Sequence, residues 1–131
     1  MHRESAYSFL PFETEKVRQF IVSFIEDADT QCGLVAEKNN VIVGMLGGYI
    51  GDYFFCYEKV AYDTLLFVER QNRGSSAAAR LIRAFRQWAI DSGASEICLG
   101  ISTNISTERT GMFYERMGLK QVGGIYKQRL R

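Results

Sequence analysis

A mixed α/β fold, with one sheet and helices on both of its faces, is what this sequence predicts. Three observations carry that expectation. Apolar residues recur at helical spacing in three segments. Short β-rich runs separated by turn residues lie between them. Near the middle, a strand, a polar turn and a long amphipathic helix follow one another directly.

The elements follow in order. After Pro11, the segment Glu13 to Asp27 places Val17, Phe20, Ile21, Phe24 and Ile25 on one side of a helix. Leu34 to Glu37 reads as a strand, Lys38-Asn39-Asn40 as a tight turn and Val41 to Ile50 as the returning strand. Asn tolerates the left-handed backbone that a two-residue hairpin needs. The glycines Gly44, Gly47 and Gly48 inside that strand predict bulges or close backbone approaches. Gly51 to Glu58 is an aromatic loop or irregular edge, and Val60 to Val68 is a third strand. The second helix carries Ala77, Ala78, Leu81, Ile82, Phe85, Trp88 and Ala89 on one stripe, and Ser92-Gly93 stops it. Glu96 to Ile101 is a buried type of strand. Ser106 to Met117 is a third helix, with Gly118 placed as its C-terminal cap. Leu119 to Leu130 reads as one or two strands broken at Gly123-Gly124.

A chain of 131 residues fits a single domain, and its formal net charge of +1 provides no general field for nucleic acid or an anionic membrane. The arginines gather in the C-terminal two-thirds, which suits a small polyanion better than a duplex. Cys32, Cys56 and Cys98 are odd in number and widely spaced, and His2 is the only histidine. That pattern points neither to a metal site nor to a disulfide framework. Free thiols, a polar start and the lack of a long apolar run make cytoplasm the expected compartment.

The chemistry concentrates at Val68-Glu69-Arg70-Gln71-Asn72-Arg73-Gly74-Ser75-Ser76-Ala77-Ala78. A strand ends there, a turn containing glycine follows, and small residues open a helix. Free N–H groups at a helix start form an anion site, and small side chains let a phosphate approach the backbone. Arg73 adds charge at the rim. On spacing alone, an ordinary helix cap explains the stretch equally well. It is not a Walker loop, because no Gly-Lys-Ser/Thr follows, and the three-glycine dinucleotide spacing is absent.

Two motifs together resemble the GNAT superfamily of N-acetyltransferases. The family loop reads Val-x-Pro-x-x-Arg-Gly-x-Gly-x-Gly/Ala. Here Val68, Arg73-Gly74, Ser76 and Ala78 take the Val, the Arg-Gly pair and the two later small positions. Phe113-Tyr114-Glu115-Arg116-Met117-Gly118-Leu119 is similar to the family's Leu-Tyr-Glu-Lys-x-Gly-Phe. The two motifs stand in the family's order with a strand between them. The departures are Arg70 in place of proline, Ser76 in place of glycine, and Thr107 where Asn is common, with Asn104 one turn earlier.

The resemblance implies a mostly antiparallel sheet of about six strands, with a parallel pair splayed apart at the cofactor site. It implies acetyl-CoA as cosubstrate, held by Phe67, Val68, Arg73, Gly74, Ser75, Ser76, Ala77 and Asn104. An amine, on a small molecule or a protein, would attack the thioester directly. An N–H near Phe67 or Val68 would act as oxyanion donor and Tyr114 as general acid. Asp63 is the first candidate base, with Glu58 and Glu69 behind it. Tyr49 and Tyr53 to Tyr57 are candidates for an acceptor wall, a cover for the sheet end or a dimer contact. The alternative function is a catalytically silent module that binds acyl-CoA. The family's usual first strand has no counterpart in His2 to Phe12. The edge of Leu34 to Glu37 is therefore expected to be covered by a second copy, giving a homodimer, or by a fold-back of His2 to Leu10.

Overall fold

The computed structural model describes residues 1–131. The chain forms two compact units: residues 12–99 with Met1, and residues 2–11 with 100–131.

The larger unit holds a four-stranded sheet in the order β1-β2-β3-β4: β1 (Gln31–Lys38), β2 (Val41–Asp52), β3 (Lys59–Val68) and β4 (Ala94–Cys98). The pairs β1/β2 and β2/β3 are antiparallel, and β3/β4 is parallel. Helices α1 (Thr14–Glu26) and α2 (Ala77–Asp91) complete the unit. The β1/β2 hairpin closes through Asn39 and Asn40, both with positive φ, between the paired Lys38 and Val41. That is the two-residue turn whose twist suits a hairpin.

The glycines of β2 answer to the rings above and below the sheet. A Cβ on Gly47 would meet the Phe24 ring of α1 at 2.4 Å, and one on Gly48 would meet the Phe85 ring of α2 at 2.5 Å. Neighbouring residues of a strand face opposite sides, so α1 and α2 lie on opposite faces, each with an aromatic ring resting on bare backbone. Phe85, Leu46, Ile82 and Val60 are the largest fully buried side chains. The expectation of helices on both faces holds for this unit.

Four strands stand where about six were expected. The tail, residues 119–131, contains no strand. Its short apolar runs are interrupted by Gly123-Gly124, which cost more backbone entropy to order. Side chains hold it instead. Lys127 donates to the Tyr7 hydroxyl and to the Ser102 carbonyl (3.0 Å), and Arg129 lies 4.0 Å over the Phe9 ring. The smaller unit also contains the 3-10 turn His2–Glu4 and helix α3 (Thr107–Arg116). Gly118, at φ +87°, ends α3 as expected. Within the smaller unit Ala6 donates its N–H to Thr103, and in the larger one β1 has β2 as its one ladder partner. No helix is long and apolar enough to cross a membrane.

Candidate acyl-donor site

Strand β3 changes character along its length. Its first residues pair with both neighbours, and the β4 register ends at Tyr62↔Cys98. Immediately beyond, Gly48 pairs with Asp63 while Gly47 pairs with Leu65, which leaves Thr64 as an extra residue on β3. A bulge of this kind bends its strand and increases the local twist. From Asp63 to Val68, β3 keeps β2 on one side and has no strand on the other. The parallel pairing thus stops at Tyr62.

The direction of the polar groups along that open edge can be read from the ladder. Glu69 donates its N–H to Val43 of β2 at 2.8 Å. The Val68 carbonyl, trans across the same peptide, therefore points away from β2. Alternation along an antiparallel strand puts the N–H and C=O of Val68 and Leu66 on the open edge, and those of Phe67 towards Met45 of β2.

The chain then makes a 3-10 turn, Arg70–Asn72, passes Gly74 at φ +87° and enters α2. A positive φ of that size suits glycine and strains other residues. The N–H groups of Gly74, Ser76, Ala78 and Ala79 have no protein acceptor. Ala77 donates to Ser75 Oγ at 3.3 Å, and Ser76 makes no side-chain cap bond. A capping side chain on Ser76 would have taken one of these donors. All four lie at or just before the N-terminal, positive end of a helix running to Asp91. A cavity of about 500 Å³ opens beside the loop, lined by Asn72, Ser75, Ser76 and Arg80 together with Leu34 and Glu37. Arg73 is turned inward more than the sequence suggested: its Nε donates to the Val68 carbonyl at 2.9 Å and its guanidinium sits 5.3 Å over the Phe67 ring.

Asp63 is half-buried on β3, next after the last residue paired to β4. The Cys98 thiol is pushed up by burial, and further by the charges of Asp63 and Glu96. Cys32 is pushed up to about 11 by burial alone. Both thiols are therefore poor nucleophiles near neutrality. Glu58 accepts from Ser95 Oγ, and Tyr53 donates to Glu96, so the β2/β3 loop is tied to β4. Phe54 and Tyr57 are fully exposed, with the Phe54 ring set edge-on to Phe55 at 5.1 Å. Glu69 is exposed at the end of β3.

In the smaller unit Tyr114 is buried on α3, and its hydroxyl faces the Gly100 carbonyl at 3.3 Å. That is longer than an ordinary O–H···O bond of about 2.5–3.0 Å. Asn104 has φ +57°, and its Oδ1 accepts from the Thr107 hydroxyl at 3.3 Å. Asn104 and Thr107 thus form one local turn before α3. Sequence reasoning did not find the bulge at Thr64, the edge-facing groups of Leu66 or the inward bond of Arg73. Only the register and the backbone reveal them.

Residues 2–119 match the family model described as Acetyltransferase (GNAT) family. Human N-acetyltransferase 8B is 35% identical over 92 residues, which are 70% of this chain and 40% of that protein. Human N-acetyltransferase 8 matches to the same extent. The matched region therefore spans well under half the length of these relatives. Among solved structures, glucosamine-6-phosphate N-acetyltransferase from Arabidopsis thaliana superposes with a TM-score of 0.75 at 14% identity, covering 93% of this chain and 82% of its own. AAC(6')-Iy in complex with the bisubstrate analog CoA-S-monomethyl-acetylneamine gives 0.72 at 19% identity, covering 98% and 88%. The chain, with its open strand edge leading into a loop of unpartnered N–H groups, belongs to the GNAT acetyltransferase family.

Proposed function

We propose that this protein transfers an acetyl group from acetyl-CoA to a primary amine. The observation that carries the reading is the continuity of the polar edge of Leu66 and Val68 with the unpartnered N–H groups of Gly74, Ser76, Ala78 and Ala79. A ligand with an amide-bearing arm and a pyrophosphate matches both halves: the arm pairs as a missing strand would, and the anion takes the helix N-terminus.

When bound, acetyl-CoA supplies an acyl group activated as a thioester. The Val68 N–H is the proposed donor to the acyl oxygen as charge gathers there, in the manner of an oxyanion hole. Phe67 supports that peptide with its ring. Ser75 and Ala77 shape the loop, and Asn104 remains the candidate contact for the arm. Asp63 removes the proton that an alkyl ammonium, with a pKa near ~10, must lose before attack. Tyr114 protonates the departing thiolate, a role worth typically ~10²–10⁴-fold.

AAC(6')-Iy, whose solved complex carries a CoA-linked neamine, and the glucosamine-6-phosphate enzyme support an amine acceptor. A panel of primary amines with acetyl-CoA, read by thiol release, tests the reading. Amine-dependent release is the expected result. Tight CoA binding with no release for any amine would leave a silent acyl-CoA-binding module.

A further inference from the structure

We infer that Arg73 is a positioning residue that locks the end of β3, rather than a charge that holds the pyrophosphate; this rests on the acetyl-CoA reading above. Val68 presents both an N–H and a C=O at the open edge. Within a sheet, both groups would be fixed by the next strand. No strand lies there, so the terminal peptide of β3 has β2 on one side only. Arg73 supplies the missing constraint. Its Nε takes the Val68 carbonyl at 2.9 Å, which is where a neighbouring strand's N–H would bond. Its guanidinium carbon lies 5.3 Å from the centre of the Phe67 ring, and its own N–H returns to the Arg70 carbonyl at 3.4 Å.

One side chain thereby joins the strand end, the 3-10 turn and the start of the phosphate loop. The carbonyl at Val68 is used internally, and the Val68 N–H is left as that residue's outward donor. A planar guanidinium can donate from Nε and lie over a ring at the same time. A lysine ammonium is a point donor on a flexible stem and cannot hold both contacts. Charge alone therefore does not substitute for Arg73.

Arg73→Lys and Arg73→Ala, measured beside the unaltered protein, separate the two roles. Each is titrated calorimetrically with CoA at two salt concentrations and assayed for turnover of acetyl-CoA with the acceptor found in the amine panel. Circular dichroism accompanies every variant, and the lysine variant keeps the aliphatic stem should the alanine variant unfold. If Arg73 is a lock, turnover in both variants falls by ~10–10²-fold, the scale expected when a reacting group is misplaced. CoA affinity then stays within about three-fold, with its salt dependence unchanged. Wild-type behaviour of Arg73→Lys would overturn the inference and assign Arg73 to charge. So would a loss of CoA affinity with a flatter salt dependence in Arg73→Ala alone. Absence of CoA binding by the unaltered protein would instead overturn the acetyl-CoA reading itself.

Discussion

The two halves of β3 share one strand and differ in what lies beside them. From Lys59 to Tyr62 the strand has β2 on one side and β4 on the other. Val60 and Ala61 are almost wholly buried. From Leu65 to Val68 it keeps β2 and has no strand on the other side. The first half spends its polar groups on the fold. The second half holds some of them in reserve, and the bulge at Thr64 separates the two. Changes in the open half should therefore cost binding or turnover while leaving stability almost untouched, and changes around the closed half should do the reverse.

The largest expected effect lies just past the open half. Gly74→Asp should abolish CoA binding, because a carboxylate would meet the pyrophosphate at a site whose donors suit anions. Gly74→Asn carries the same backbone strain at φ +87° without the charge. It should retain measurable binding by calorimetry. Equal binding by both variants, with unchanged circular dichroism, would remove the phosphate-loop assignment.

Next in size is Tyr114→Phe. Turnover should fall by ~10²-fold or more while CoA affinity stays within a few-fold, because only the phenolic proton donor is lost. Unchanged turnover would return Tyr114 to a packing role on α3.

The closed half predicts the opposite pattern. A Cβ on Gly48 would sit 2.5 Å from the Tyr62 carbonyl and 2.5 Å from the Phe85 ring. Gly48→Ala should therefore lower stability by ~1–3 kcal/mol in urea unfolding, the usual cost of overpacking a core. CoA affinity of the fraction that stays folded should be retained. A variant as stable as the parent would show that α2 can lift from the sheet without cost.

A smaller effect concerns Cys32 on β1. Its thiol is raised from an ordinary value of 9.0 to about 11 by burial. The native state therefore keeps a proton that the unfolded chain releases in that window, so stability falls as pH rises from about 9 to 11. Thermal melts over that window should show a shallower decline for Cys32→Ala than for the parent.

How much of this the sequence showed depends on the scale of the feature. Asn39-Asn40, Ser92-Gly93 and Gly118 mark their turns because local backbone demands select those residues. The glycines of β2 announced close approaches, although not which rings would approach. The turn and helix start from Arg73 to Ala78 were readable because a glycine and small residues come just before an apolar helical stripe. The tail was misread: apolar alternation is necessary for a strand, yet pairing also needs a neighbouring edge and continuous backbone, which Gly123-Gly124 interrupt. The bulge at Thr64 has no sequence signal at all, since it exists only as a mismatch between two strands. The inward turn of Arg73 was hidden for a similar reason, because its partner is a carbonyl that every residue possesses.

The division of β3 is tested most directly by residue-resolved amide exchange with and without CoA. Exchange should slow at Leu66 and Val68 and at Gly74, Ser76, Ala78 and Ala79, and it should stay unchanged from Lys59 to Tyr62. Protection that appears elsewhere, or no change at Val68 and Gly74 under saturating CoA, would contradict the account.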